Sequence, residues 1–405
     1  MAGGIMKKLP EDIIVYVLSR FPVKSLMRLK SISKSWYILI DSSSFTHLHL
    51  NHINNEFILL TCSVYEEEYE KFKTDMSFLS NDSNDNLNPF NQDFQDCDVS
   101  ELTAAFSSNF DEFIGPSHGL IALVGSIDTV IFNPTTRHYR VLPPSPFDCP
   151  EGFYHDINGL GFGFDPMLND YKVVRISKVY TDPYKYSYHS IREKKVEVYD
   201  MWVDSWRELD ILDQQLPGIY WLPCSQKFYK GSCHWFTNTT DDNSVAVFCF
   251  DITTETFRIM NMPDCCHFFY GPRYGLVILI ECLTLICYHD REPQVDPSED
   301  MIDIWIMKEY GVSESWIKKY TIQPLPIEYP LAGWKDYLLY FQSTRGLLIS
   351  YNLHSDEVKE LILHGFSGTL RVVVYTESLI QIPRGRDHSR QVKHFHRTYN
   401  SSTVT

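Results

Sequence analysis

One two-stranded pattern returns along this chain: "TVIFNPTTRHYRVLP", "VEVYDMWVDSWRELD", "VFCFDITTETFRIMN" and "LISYNLHSDEVKELI". In each, an alternating apolar strand runs into Asn or Asp, a turn follows, and a second alternating strand leaves it. The anchors are Asn133, Asp200, Asp251 and Asn352, and six positions after each stands Tyr139, Trp206, Phe257 or Val358. A fifth copy, "IDIWIMKEYGVSESWIKKYTI", puts Met307 at the anchor and lengthens the turn before Trp316. A short Asn or Asp side chain bonds the amides of its own turn, which explains its place at the strand end. Alternate residues of every strand then face one core.

A further strand precedes several of these hairpins, in "GPSHGLIALV", "YKGSCHWFT", "YGPRYGLVILI" and "AGWKDYLLYF". The unit is therefore strand, strand, turn, strand, returning about every 45 to 67 residues. That period predicts a blade-by-blade β-propeller of the kelch kind rather than a sandwich or a solenoid. The kelch double glycine is missing and the period is uneven. Aromatic residues make up 14% of the 405, which leans toward strands as well.

Four segments follow from the pattern. Residues 1–50 are apolar and helical in period, and residues 51–110 form a transition. The transition opens on one strand, "EFILLT", and becomes acidic and Asn-rich in "SNDSNDNLNPFNQDFQDCD", the composition of a solvated loop. Residues 111–383 carry the repeated strands. Residues 384–405 are polar and basic, and are expected to be a disordered tail.

The formal charge of −16, from 52 acidic and 36 basic side chains, argues against general nucleic-acid binding. It suits a basic protein partner, or solubility alone. "MAGGIMKK" offers no apolar signal region, so a cytosolic chain is expected. The longest apolar run, "YGLVILIECLTLICY", is interrupted by Glu281 and is too short to span a bilayer. It reads as two buried strands and their turn. The ten scattered cysteines are then reduced thiols, and the sequons at Asn81, Asn238 and Asn400 carry no meaning.

The opening block, "LPEDIIVYVLSRFPVKSLMRLKSISKSWYILI" (residues 9–40), has a different logic. Pro10 suits a first helical position, and Glu11 with Asp12 meets the positive end of the helix dipole. Ile13, Ile14, Val17, Leu18 and Phe21 fall on one face. Pro22 breaks the helix and Ser25 is placed to cap the next, which carries Leu26, Met27 and Leu29. A third helix holds Trp36, Tyr37, Leu39 and Ile40. Three short helices cannot bury all of this among themselves. The surplus goes either to the propeller edge or to another protein.

The order Leu9-Pro10, two acids, aliphatic pairs, Leu18-Ser19, Phe21-Pro22, Ser25-Leu26, Arg28, Ile32, Lys34 and Trp36 resembles an F-box. Phe21 replaces the more usual Leu, and Ser33 stands where many members have Cys. The resemblance implies a docking face for a Skp-family adaptor, which links to a cullin and a RING subunit. Its residues here are Leu9, Pro10, Ile13, Ile14, Val17, Leu18, Phe21, Pro22, Leu26, Leu29 and Trp36. The rest resembles the F-box-associated repeat domain of plant F-box proteins. More closely, "FPVKSLMR", "GPSHGLIAL", "FNPTTRHYR", "GFGFDPMLNDYKVVRISKVY", "IYWLPCSQKFYKG" and "IMKEYGVSESWIKKYTI" resemble the S-locus F-box proteins of Solanaceae. That implies a non-catalytic receptor in the pollen tube cytosol, which binds non-self S-RNases for ubiquitination in self-incompatibility. An unrelated plant protein as target is the alternative.

Other constellations carry less. Gly159, Gly161 and Gly163 in "GLGFGFD" mimic a dinucleotide fingerprint, but alternating aromatics continue where a helix must begin. They read as strand glycines at a crowded core. Cys265, Cys266, His267, Cys282, Cys287 and His289 lack the tight paired spacing of a zinc site. Ser117 and His118 are adjacent and face opposite ways in a strand. A propeller enzyme would need a convergent cluster that the sequence does not display. No cofactor, metal, nucleic acid or membrane is expected.

Overall fold

The computed structural model describes residues 10–52, 56–66, 71–79, 110–125, 129–146, 153–180, 191–211, 216, 219–220, 226–238, 244–263, 273–288, 301–361, 370–383 and 393–394. Four helices open it: α1 (Glu11–Leu18), α2 (Val23–Lys30), α3 (Lys34–Asp41) and α4 (Ser43–His52). The sequence led us to expect three helices. The fourth starts where Ser42 takes the Phe45 amide at 3.3 Å, and it carries the block to residue 52. Ser25 does not cap α2: that helix starts at Val23, directly after Pro22. Pro10 likewise stands one residue before α1, and its carbonyl accepts from the Ile13 and Ile14 amides.

Strands β1 (Glu56–Glu66) and β2 (Lys71–Leu79) come next and pair antiparallel with each other. Five sheets then follow in chain order. The first contains β3 (Phe110–Ser117), β4 (Leu120–Gly125), β5 (Thr129–Asn133) and β6 (His138–Val141). The second contains β7 (Tyr154–Asp165), β8 (Asp170–Tyr180), β9 (Ile191–Asp200) and β10 (Ser205–Glu208). The third contains β11 (Ile219–Tyr220), β12 (Lys227–Tyr229), β13 (Ser232–Asn238), β14 (Val245–Asp251) and β15 (Phe257–Asn261). The fourth is β16 (Arg273–Leu279), β17 (Cys282–Tyr288), β18 (Ile302–Met307) and β19 (Trp316–Ile322). The fifth is β20 (Ile327–Trp334), β21 (Leu338–Ser343), β22 (Leu348–Asn352) and β23 (Glu357–Leu361).

Only then does β24 (Arg371–Thr376) arrive to pair with β1, Leu60 facing Val372 and Ile58 facing Val374. The sixth sheet, β2-β1-β24, thus joins the two ends of the chain. The first strands β3, β7, β12, β16, β20 and β24 touch in succession, and β24 touches β3. This is a closed propeller, as the repeat predicted, and the sheets number six among the described residues. The expected transition is revised: residues 56–66 and 71–79 belong to the ring. The acidic stretch from 80 to 109 lies outside the described residues. In the expected tail, Lys393–His394 (β25) pair with Tyr139 and His138 of β6.

The core is divided among the seams, because each blade is apolar on both faces. Leu59 and Tyr375 pack with Ile121 and Phe132 where the ring closes. Val174 and Val198 meet Trp235 and Phe250, and Leu276 and Leu285 meet Val247 and Met260. Tryptophans also bond across seams: Trp206 Nε1 donates to the Pro143 carbonyl at 2.8 Å, and Trp316 Nε1 to that of Asn261 at 3.1 Å. The run "YGLVILIECLTLICY" forms β16, a turn and β17, as expected. The glycines of "GLGFGFD" lie in β7, where a Cβ on Gly161 would stand 2.4 Å from Cys233 Sγ. Crowding at the core, not phosphate binding, accounts for them.

The anchors do what their chemistry implies, with one exception. Asn133 Oδ1 accepts from the amides of Thr135 and Thr136, Asp251 from Thr253 and Thr254, and Asn352 from His354 and Ser355. Asp200 instead takes Arg207 Nε at 2.7 Å. Four residues beyond each anchor, the backbone turns left-handed at Arg137, Asp204, Glu255, Gly311 and Asp356. This tightens the hairpin so that Phe132 faces Tyr139, Tyr199 faces Trp206 and Phe250 faces Phe257.

Candidate protein-docking surface

The helical block packs around a small apolar core. Leu18, Val23, Leu26, Ile40 and Phe45 are buried in it, with Ile14, Val15, Met27, Leu29, Trp36 and Leu39 packed around them. Lys30 pairs with Asp41 at 2.6 Å and ties α2 to α3. Ser33 caps α3 through the Trp36 amide. His49 Nε2 bonds the Phe21 carbonyl at 2.9 Å, which fixes α4 against the end of α1. A carbonyl only accepts, so Nε2 carries the proton. The other ring nitrogen, Nδ1, is buried with no hydrogen-bond partner among the described residues. Burial holds this imidazole below its ordinary pKa.

Outside that core the block leaves apolar surface in water. Ile13 is 46% exposed, Tyr16 57%, Ile32 68%, Tyr37 52% and Ile38 69%, and Phe21 is exposed beside them. Of thirteen large hydrophobic side chains exposed among the described residues, six fall between residues 13 and 38. Their gathering within one short stretch makes this a candidate surface for another protein to cover. Arg20 stacks its guanidinium 3.6 Å above the Tyr16 ring and bonds the Tyr16 carbonyl, holding that ring outward. Five cations, Arg20, Lys24, Arg28, Lys30 and Lys34, outnumber the three carboxylates Glu11, Asp12 and Asp41 in residues 10–52. The block is basic on an acidic protein.

The residues expected on the docking face divide three ways. Pro10, Ile13, Phe21 and Pro22 are exposed, whereas Ile14, Val17, Leu29 and Trp36 are half-buried. Leu18 and Leu26 are fully buried and hold the helices together from inside. Leu9 lies outside the described residues. Tyr16, Ile32, Tyr37 and Ile38 were not among the expected docking residues. Their signal was present in the sequence: Ile13 and Tyr16 are three apart on α1, and Tyr37 and Ile38 fall off the stripe that buries Ile40.

Elsewhere the polar groups serve the fold. Lys172, nearly inaccessible, bonds Asp165 at 2.7 Å and Glu255 at 2.8 Å across a seam. Cys282 and Cys287 lie in β17, while 265–267 and His289 fall outside the described residues. No helix among the described residues is long and apolar enough to cross a membrane.

Comparison with known proteins agrees with this layout. A model of the F-box domain matches residues 6–48, and one of the F-box associated beta propeller domain matches residues 112–382. The F-box protein CPR1 of Arabidopsis thaliana is 26% identical over 378 residues, covering 86% of this chain and 80% of that protein. The F-box protein At3g07870 of the same plant is 25% identical over 423 residues, covering 93% of each. An F-box/kelch-repeat protein, At3g23880, is 23% identical and covers 92% of this chain and 95% of its own length.

Proposed function

Because the chain belongs to the F-box associated beta propeller family and begins with an F-box, we propose that it is a substrate receptor of a Skp–cullin–F-box ubiquitin ligase. The observation that carries this reading is the exposed set Ile13, Tyr16, Phe21, Ile32, Tyr37 and Ile38. The block's core packs without those side chains, so they are available to a Skp-family adaptor. The basic charge of the block then favours an acidic partner face. The receptor makes and breaks no bond itself. It holds a target near the site where ubiquitin is transferred, which raises the effective concentration of target lysines.

For the target, we propose non-self S-RNases in the pollen tube cytosol. Support comes from the resemblance of "FNPTTRHYR" and "IMKEYGVSESWIKKYTI" to S-locus F-box proteins, and from a net charge of −16 that suits a basic ligand. A second reading is the same receptor for an unrelated plant protein. Affinity purification from pollen, challenged with pistil extract and read by mass spectrometry, separates the two. Recovery of the adaptor with S-RNases supports the first target. Recovery of the adaptor with other proteins only supports the second.

A further inference from the structure

The seven residues after β24, Glu377–Pro383, have no regular secondary structure, yet Ser378, Leu379, Ile380 and Ile382 are buried. Their side chains go to two different places. Leu379, at 1% exposure, completes the core of the helical block with Leu18, Val23, Leu26, Ile40 and Phe45. Ile380 and Ile382 enter the seam between the sheets of β4 and β8, against Tyr171 and Tyr199. The buried Glu377 carboxyl lies beside the Val23 amide at the start of α2 and Lys24.

The propeller grips the same seven residues from the other side. Asn133 Nδ2 donates to the carbonyls of Ser378 and Ile380, both at 3.0 Å. Arg140 donates to the Pro383 carbonyl and to Asp204. At Gly119, where φ is +75°, a Cβ would stand 2.2 Å from that of Ser378, so only glycine lets the segment lie this close.

We propose that Glu377–Pro383 is the strap that sets the orientation of the F-box on the propeller, with Glu377, Leu379 and Asn133 as its positioning residues. Leu379 is a piece of the F-box core supplied from the opposite end of the chain. The helices therefore reach their complete packing only when the ring has closed and the strap is seated. Leu50 of α4 adds a second contact at the same seam. For a receptor of the kind proposed above, on which this inference rests, the strap fixes the direction in which a bound target faces the ligase.

The test uses the full chain with spin labels on non-natural residues at the exposed positions 35 and 355, and measures their distance distribution by pulsed electron resonance. Two variants are compared with the parent. Glu377→Ala with Leu379→Ala empties the F-box side. Asn133→Asp keeps the Oδ1 acceptor for the turn amides but removes the donor to the strap. The parent is expected to give one narrow distribution, and both variants a broader one. In the variants that keep adaptor binding, ubiquitin transfer to bound target should fall by at least about fivefold, because transfer depends on placement. An unchanged narrow distribution in the variants overturns the proposal. If the double variant loses the adaptor through collapse of its core, the Asn133→Asp distribution alone decides. Failure of the parent to bind an adaptor would sink the receptor reading and leave the distance result standing.

Discussion

Arg140 and Asp204 meet at 2.6 Å across the seam between the first two complete blades, and both side chains are almost wholly removed from water. Tyr199 and the carbonyls of Met201 and Pro383 complete the guanidinium's surroundings. The pair links β6, the β9–β10 turn and the strap.

Asp204→Asn tests that link. Asp204 sits at φ +59°, a conformation Asn tolerates, so the backbone stays and only the charge goes. Leaving a buried cation without its counter-ion costs about 3 kcal/mol or more. Urea unfolding should show that loss. Replacing Arg140 by Met and Asp204 by Asn together should cost much less, because no unpaired charge is left and position 204 keeps a residue that tolerates its left-handed backbone. Equal losses would mean that the pair is not the source of the effect.

His234 gives the propeller an acid limit. Its Nδ1 lies 3.1 Å from the Lys227 carbonyl and must donate, so Nε2 accepts from the Tyr310 hydroxyl at 2.9 Å. Burial, assisted by Arg258, pushes its pKa down to about 4. The unfolded value is near 6.5. Folding therefore favours the neutral ring, and its stabilisation is complete above pH 6.5 and is lost as pH falls toward about 4. Over that interval His234 accounts for roughly 3 kcal/mol at most. Urea midpoints should fall between pH 7 and pH 4.5, and His234→Gln should flatten that slope. An identical slope in the variant would remove His234 from the account.

Gly161 tests the crowding at the core. An added Cβ would lie 2.4 Å from Cys233 Sγ and 2.7 Å from Val174 Cγ1. Gly161→Ala should destabilise by about 1–3 kcal/mol in thermal unfolding. A neutral result would show that the second and third blades are looser than their packing indicates.

Much of this was legible in the sequence, and the reasons differ by element. The anchors Asn133, Asp251 and Asn352 announced their turns because an Asx turn is a local device. The closing blade was not legible, because β1 pairs with a strand more than 300 residues later and nothing local marks that partner. Leu379 in the F-box core was hidden for the same reason. On the docking face, periodicity found the apolar residues but could not say which side of the helix faces inward. Leu18 and Leu26 therefore shared a set with Ile13. Spacing set Tyr16 beside Ile13 and Ile38 off the Ile40 stripe, but which stripe meets water follows only from the packed helices.

Charge predicts how an S-RNase target would be met. A basic ligand should associate with this acidic chain faster at low salt, and raising ionic strength to 1 M shortens screening to about 3 Å. The association rate in stopped flow should fall steeply while dissociation changes little. Rates indifferent to salt would leave the acidic surface as a solubility feature.

The central claim is that the exposed face of the F-box is an adaptor's docking site. The most direct measurement is the affinity of the full chain for a purified Skp-family adaptor by calorimetry, for the parent and for Ile13→Ala with Ile38→Ala. Both side chains are outside the block's core, so the unfolding temperature should hold. Each is worth about 1.5–3 kcal/mol when covered, so the double variant should bind at least about 100-fold more weakly. Undiminished affinity in a folded double variant, or no binding by the parent, would contradict the account.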